Sequence, residues 1–239
     1  MDILLIGGTG AIGGSLINIL KKNCDNTIFV TSRKAHKSCD KLKYIQVDGK
    51  AADLVKMLPQ KYFDVVFDFM IYDTEEFEEK IDALLEITSQ YFFFSSARCY
   101  ADSEKPINES SARLIDVCDD IKYLSTDEYG LSKGKEENVL MKKKKKNWTI
   151  IRPYITYNTY RLQLGVYEKE NWLYRSLQGR TVVFPKDIAD KKTSLTYAPD
   201  VAGALVDLIG KQDALGRAFH ITTDEVYTWK DVLELYCAI

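Results

Sequence analysis

Near the start of the chain, Gly7-Gly8-Thr9-Gly10-Ala11-Ile12-Gly13 sits between two patterned segments. Before it runs Asp2-Ile3-Leu4-Leu5-Ile6, short and almost wholly apolar, as a buried parallel strand is. After it, Ile12, Leu16, Ile19 and Leu20 recur at helical spacing through about Asn23. Glycines between a strand and a helix permit a tight turn and a close backbone approach by a phosphate. The helix N-terminus then offers free N–H groups and the positive end of its dipole. Strand, turn and helix in this order are the context that a dinucleotide fingerprint requires. The plainer alternative is a glycine-rich turn that holds no ligand.

The rest of the first two thirds repeats the alternation. Thr27–Thr31 and Tyr44–Val47 read as strands, and 51–58 as a helix that stops at Pro59. Asp64–Phe69 is a fourth strand, 74–89 an acidic amphipathic helix, and Tyr91–Phe94 a fifth strand. Residues 101–124 are polar and irregular. Ser125-Thr126-Asp127-Glu128 matches a capping box and is expected to start a helix running to Met141. Trp148–Arg152 is a sixth strand. The expected fold is α/β, a doubly wound parallel sheet of Rossmann type with six or seven strands. Past Pro153 the alternation fails, and aromatics, charges and a short helix around Trp172 suggest a smaller lobe. Residues 195–197 and a helix over 199–209 look like a return to the main sheet. A short strand at 219–222 and a helix over 228–236 follow. The expected division is 1–157 plus 193–210 for the Rossmann domain and 158–192 plus 211–239 for the lobe.

Composition excludes several classes. The 239 residues suffice for one substantial core with a small lobe. A net charge of −2 points to neither nucleic acid nor an anionic membrane. The five cysteines lack paired spacing and read as reduced thiols in a cytoplasmic protein, and the two histidines leave no metal site in view. No apolar stretch is long enough to span a bilayer, and no signal peptide is evident before the first strand.

Tyr129 and Lys133 are four residues apart in a helical segment, so both project from one face. A free tyrosine holds its proton until pH ~10, and a fixed ammonium beside it brings that value down. The spacing is weak evidence alone. Ser95-Ser96, ending the apolar run before it, gives it company. At the end of the second strand stand Ser32 and Arg33, followed by Lys34, with no carboxylate for an adenosine ribose. They suit a 2′-phosphate, though a solvated surface arginine is an equal reading. Asp48 and Gly49, after the third strand, are placed to meet adenine. Asp68, Phe69 and Met70, after the fourth, would line the far side of the cofactor. Ordinary loop residues are the alternative for both groups.

Together these residues resemble the extended branch of the short-chain dehydrogenase/reductase superfamily, the NAD-dependent epimerase/dehydratase family, over essentially the whole chain. Phe94-Ser95-Ser96-Ala97-Arg98-Cys99-Tyr100 is similar to the strand that delivers the family's serine, here Ser96. Tyr129 and Lys133 match its tyrosine and lysine, and Ile151-Arg152-Pro153-Tyr154 its sixth-strand exit beside the nicotinamide. Tyr197-Ala198-Pro199-Asp200-Val201-Ala202 resembles a late motif bordering the sugar pocket. Phe219-His220-Ile221-Thr222-Thr223-Asp224-Glu225 resembles a less typical subgroup.

The resemblance implies an epimerase or keto-reductase acting on a nucleotide sugar. Tyr129 would exchange the proton, Ser96 stabilise the reacting oxygen, and Lys133 lower the tyrosine pKa and hold the nicotinamide ribose. It implies cofactor contacts from Gly7, Thr9, Gly10, Ala11, Ile12, Gly13, Ser32, Arg33, Asp48, Gly49, Asp68, Phe69, Met70, Ser95, Tyr129, Lys133, Pro153 and Tyr154. NADP is expected over NAD. Arg161, Arg175 and Arg217 are candidates for the substrate diphosphate, and Tyr167, Trp172 and Tyr174 for either a sugar pocket or lobe core. A homodimer through 74–89 and 125–141 is expected.

Two departures qualify this. The acidic pair that dehydratases carry after the serine is replaced by Ala97-Arg98-Cys99, and the lobe reads as shorter than the family's usual one, natural or truncated. The lysines at 142–146 suit a helix C-terminus, where cations favour the dipole, rather than nucleic acid. The rival class is a Rossmann protein without catalysis, a redox sensor or an RNA-binding relative.

Overall fold

A computed structural model describes residues 1–238, and Ile239, the last residue of the expected lobe, lies outside the described residues. Seven strands form one parallel sheet: β1 (Asp2–Ile6), β2 (Thr27–Ser32), β3 (Leu42–Gln46), β4 (Phe63–Asp68), β5 (Thr88–Phe94), β6 (Trp148–Ile151) and β7 (Arg217–Phe219). Their order across the sheet is β7-β6-β5-β4-β1-β2-β3. The order reverses at β1, where Ile3 pairs with Ile28 on one side and Val65 on the other. In such sheets ligands bind outside the strand C-termini at the reversal, which is where the glycine turn lies.

Side chains alternate between two covered faces, as a period of two demands. Leu4, Ile6, Val66, Tyr91 and Phe93 point one way, toward α2 (Thr74–Glu86) and α3 (Tyr129–Lys142). Ile3, Leu5, Val30, Phe67 and Phe92 point the other way, toward α1 (Ala11–Leu20) and the helix over Ala198–Leu208. Two helices cover the smaller lobe's core: α4 (Lys169–Leu177) and, after α5 (Ala198–Leu208), α6 (Trp229–Cys237). There Trp172 and Trp229 are buried, and Trp172 stacks on Tyr236 with ring centres 4.6 Å apart.

Several local expectations are corrected. α2 starts from a capping box between Asp73 and Glu76, but it ends at Glu86 and β5 begins at Thr88. Thr88 and Gln90 lie on the buried strand, where a β-branched residue and a well-bonded amide fit. The expected box at Ser125 does not form. The Ser125 hydroxyl donates back to Lys122 O, and α3 is capped by Glu128, whose carboxylate accepts Gly130 N–H at 2.7 Å. Thr196–Tyr197 pairs with Thr156–Tyr157 in a separate two-stranded ladder and does not rejoin the main sheet. The short strand expected at 219–222, placed with the lobe by the sequence, is β7 at Arg217–Phe219, the edge of the main sheet beside β6.

The dimer expectation lacks its premise. The exposed residues of α2 include Glu75, Glu78, Glu79, Asp82 and Glu86, and α3 exposes Met141 and Lys142 alone. Neither helix carries an exposed apolar stripe, and two copies of α2 would oppose like charges. Among the described residues no helix is long and apolar enough to cross a membrane.

Phe77 of α2 is fully buried and packs on Phe93 with ring centres 4.9 Å apart. Truncation leaves a cavity that the sheet cannot close. Phe77→Ala is expected to lower unfolding free energy by about 3–5 kcal/mol in urea titrations followed by circular dichroism.

Candidate active site

The glycine turn packs as tightly as its sequence demands. A Cβ on Gly13 would lie 2.4 Å from Gly8 O, so no other residue fits where α1 crosses its own entry turn. In front of the turn lies a cleft of about 780 Å³. Gly8, Thr9, Gly10 and Ala11 form its floor, and Asn158 to Arg161 with Tyr197 form the opposite wall. At its far end stand Lys21, His36 and Tyr44. His36 stacks on Tyr44 at 4.6 Å and its Nε2 lies 3.0 Å from the Ser32 hydroxyl. The chain's own residues thus fit a dinucleotide: an open helix N-terminus for the pyrophosphate and an aromatic pair at one end.

Ser96 caps a short turn over Ala97–Cys99, with its hydroxyl accepting Arg98 N–H at 3.1 Å. The start of α3 comes against this turn. A Cβ on Gly130 would meet Arg98 O at 2.4 Å, and this close approach brings Tyr129 beside Ser96. Burial raises the Tyr129 pKa above the usual tyrosine value, while the Ser96 hydroxyl, Arg98 and Arg161 favour the phenolate and Glu136 opposes it. The Arg98 guanidinium lies 5.8 Å from the Tyr129 ring centre and is ion-paired with Glu128.

Lys133 is arranged differently from the expectation. Its side chain is 1% exposed, and Nζ binds Glu136 Oε2 at 2.9 Å over the Phe93 ring. The main cations acting on Tyr129 are therefore the two arginines. Ser95 also turns inward, donating to Glu137 Oε1 at 2.6 Å. Glu137 is fully buried and takes Arg152 through two hydrogen bonds, at 2.8 and 2.7 Å, with Arg113 at 3.3 Å. The same carboxylate and burial push the Cys99 thiol up to about 12.

Asp68 does not face the cleft. Its buried carboxylate accepts from Tyr91 OH at 2.8 Å, Tyr72 OH at 3.1 Å and Met70 N–H at 3.0 Å, and burial raises its pKa. Met70 sits between the glycines at 7 and 49, where a Cβ on either would reach its sulfur. Phe69 stacks on Phe94 at 4.2 Å. Asp48 is exposed and accepts from Lys50 N–H. Pro153 O accepts Ala97 N–H and Tyr154 packs on the same turn, so the end of β6 supports Ser96. Arg33 is exposed at the end of β2.

Of the arginines proposed for a diphosphate, Arg161 lines the cleft, held by Glu168 at 2.9 Å. Arg175 instead bonds Thr181 O, and Arg217 is exposed on the edge strand. Trp172 is lobe core, and Tyr174 is exposed. Sequence reasoning missed His36, Tyr44 and Glu136. The last had a signal: Lys133 and Glu136 fall on the helix side that also carries the apolar Leu140.

These features define the class of fold: a doubly wound, Rossmann-type parallel sheet with a smaller lobe, as the sequence reading expected. No family model matches the chain. Among solved structures, the chain is similar to nucleotide-sugar enzymes. UDP-glucuronic acid 4-epimerase from Bacillus cereus, in complex with NAD, superposes with a TM-score of 0.78 at 17% identity, over 100% of this chain and 83% of that one. UDP-N-acetylglucosamine 4-epimerase from Methanobrevibacter ruminantium gives 0.78 at 17% identity, over 99% and 81%. The dTDP-glucose 4,6-dehydratase of Bacillus anthracis gives 0.78 at 13% identity, over 100% and 80%. In sequence the chain is 28% identical, over 99% of its length, to the chloroplast stem-loop binding protein of 41 kDa b of Arabidopsis thaliana. It spans 62% of that relative's length.

Glu137 is the carboxylate shared by two guanidiniums and, among the described residues, the one ion-pair partner of the buried Arg152. Glu137→Ala strands the Arg152 charge and is expected to cost about 3–5 kcal/mol in thermal or urea unfolding, whatever its effect on ligands.

Proposed function

We propose that this chain is an NAD(P)-dependent enzyme acting on a nucleotide sugar, as an epimerase or keto-reductase. The observation that carries the reading is the meeting of Ser96 and Tyr129 in a chain whose glycine turn floors a cleft, with Arg161 of that cleft acting on Tyr129. A bound nicotinamide cofactor would supply or accept the hydride. Gly8, Thr9, Gly10 and the start of α1 would hold its pyrophosphate, with Arg161 on the facing wall for a diphosphate. Ser96 donates a hydrogen bond to the reacting oxygen and steadies charge that develops there. Tyr129, protonated at neutral pH like any tyrosine and held more firmly so by burial, gives its proton to that oxygen in the reductive direction and takes one in the other. Lys133 would serve the nicotinamide ribose once released from Glu136. Dehydration is disfavoured, since Arg98, held by Glu128, stands where an acidic pair would be needed. The free cysteines support a reducing compartment such as the cytoplasm for this enzyme.

A second reading, a binder of stem-loop nucleic acid, has one observation behind it: the name of the Arabidopsis relative. The lysine run gives it little support. Lys143 pairs with Asp82 and Lys145 with Glu86, while Lys146 donates to Met141 O. Retardation of a short RNA hairpin at micromolar protein, with no turnover of any sugar, would favour this second reading.

Tyr129→Phe keeps the ring and removes the proton. In assays with a panel of UDP- and dTDP-sugars, kcat is expected to fall by at least about 100-fold while NADH affinity stays within about threefold. Activity retained within about tenfold would remove Tyr129 from proton transfer.

The end of β2 offers Ser32, Arg33 and, close by, His36, with no carboxylate. NADPH is therefore expected to bind about one to two decades more tightly than NADH in calorimetry, and Arg33→Ala to erase most of the difference. Equal affinities, or an equal loss of both on substitution, would refute the 2′-phosphate assignment.

A further inference from the structure

Glu136 is a buried carboxylate that the proton-transfer scheme leaves without a task. It is fully buried on α3, one turn beyond Lys133, and takes the ammonium at 2.9 Å while its other oxygen lies 3.4 Å from the Ser132 hydroxyl. The Lys133 ammonium is as buried as its partner, 4.8 Å from the Phe93 ring centre. The groups packed around the pair are largely anionic or neutral. From β4 comes Asp68, with the Tyr72 and Tyr91 hydroxyls on it, and from α3 itself Tyr129. From α2 the nearest cation is Lys80, whose Nζ lies 5.8 Å from the Tyr72 ring centre and donates to Lys50 O. Glu136 thus holds the ammonium in contact while Asp68 acts on it from a distance, in a buried site where desolvation penalises the charged carboxylates.

We propose that Glu136 is a positioning residue that keeps the Lys133 ammonium buried, so that Glu136 and a cofactor's nicotinamide ribose compete for it. The proposal rests on the cofactor reading above. Burial, opposed by Lys133, sets the Glu136 pKa to about 7. Below that pH the carboxyl is neutral and its hold on the ammonium weakens; above it the ion pair is complete. Release of Lys133 also brings a third cation toward Tyr129, which Glu136 otherwise opposes. Cofactor binding is therefore coupled to proton uptake and strengthens as pH falls through about 7.

The test is a fluorescence titration with NADH, chosen because it lacks the 2′-phosphate that itself titrates near pH ~6. The wild-type chain is expected to bind NADH roughly fivefold more tightly at about pH 6 than at about pH 8.5. Glu136→Gln keeps an acceptor for Lys133 without the charge, and should bind at both pH values as the wild type does in acid. Lys133→Gln removes the competition from the other side, and its affinity should be weaker and flat with pH. A flat wild-type profile overturns the proposal whether or not either variant folds. So does a slope that persists in Glu136→Gln or Lys133→Gln, and one abolished by His36→Gln would assign the titration to the cleft histidine. If the wild type binds no NADH at any pH, the cofactor reading falls together with this proposal; binding without a slope removes the proposal alone.

Discussion

The carboxylate of Glu137 holds together the half of the molecule that carries Ser96 and Tyr129. It sits on α3, yet its partners come from the end of β5 (Ser95), from just past β6 (Arg152) and from the segment leading out of the irregular region (Arg113). A buried ion pair rarely adds net stability over an apolar replacement, because desolvating both partners costs about as much as their attraction returns. What it adds is direction: a guanidinium fork accepts one orientation of the carboxylate. Here that orientation sets the rotation of α3 about its axis, and with it the positions of Tyr129, Lys133 and Glu136. Arg152 extends the same web to Tyr100 OH at 3.1 Å, on the far side of the Ser96 turn.

α3 therefore breaks the usual logic of an amphipathic helix. Its buried side carries Ser132, Lys133, Glu136 and Glu137 as well as Leu131 and Leu140. Such a side can be buried because each charge has a partner of opposite sign or a hydroxyl within reach. The two adjacent glutamates divide the work. Glu137 is balanced by cations on both sides and anchors the helix, whereas Glu136 has one ammonium that Asp68 also draws on. The first is a fixed point, and the second is the softer one, in contact with Lys133. Ser96 is held by different means, through backbone approach at Gly130 and the bond from Ala97 N–H to Pro153 O. Tyr129 stands where these two supports meet.

The parallel sheet was legible because its strands are buried on both faces and so are apolar along their whole length, as in Ile3–Ile6 and Tyr91–Phe94. The glycine turn was legible for a steric reason, since the contact of Gly13 with Gly8 O tolerates no side chain. Boundaries were less so. Thr88, Ser89 and Gln90 continue a helical pattern on paper, but Gln90 belongs to β5, its amide bonded to Thr149 and Leu208 O, partners remote in sequence. The cap of α3 misled for a similar reason. A serine three residues before a glutamate satisfies the local rule, while the glutamate itself, drawn by Arg98 from another turn, became the cap.

From its sequence alone the chain determined a doubly wound sheet, a glycine turn at the end of its first strand, and the presence of Ser96, Tyr129 and Lys133. These follow from local sterics and from periodicity, which act within a few residues. Tertiary structure alone decided which of them meet. It set Tyr129 against Ser96, withdrew Lys133 to Glu136, turned Ser95 and Asp68 into the core, placed Arg161 at the cleft and left Arg175 and Arg217 elsewhere. The physical reason is charge in a buried site. An ammonium or carboxylate out of water takes the nearest compensating group in space, and sequence spacing does not say which group that is.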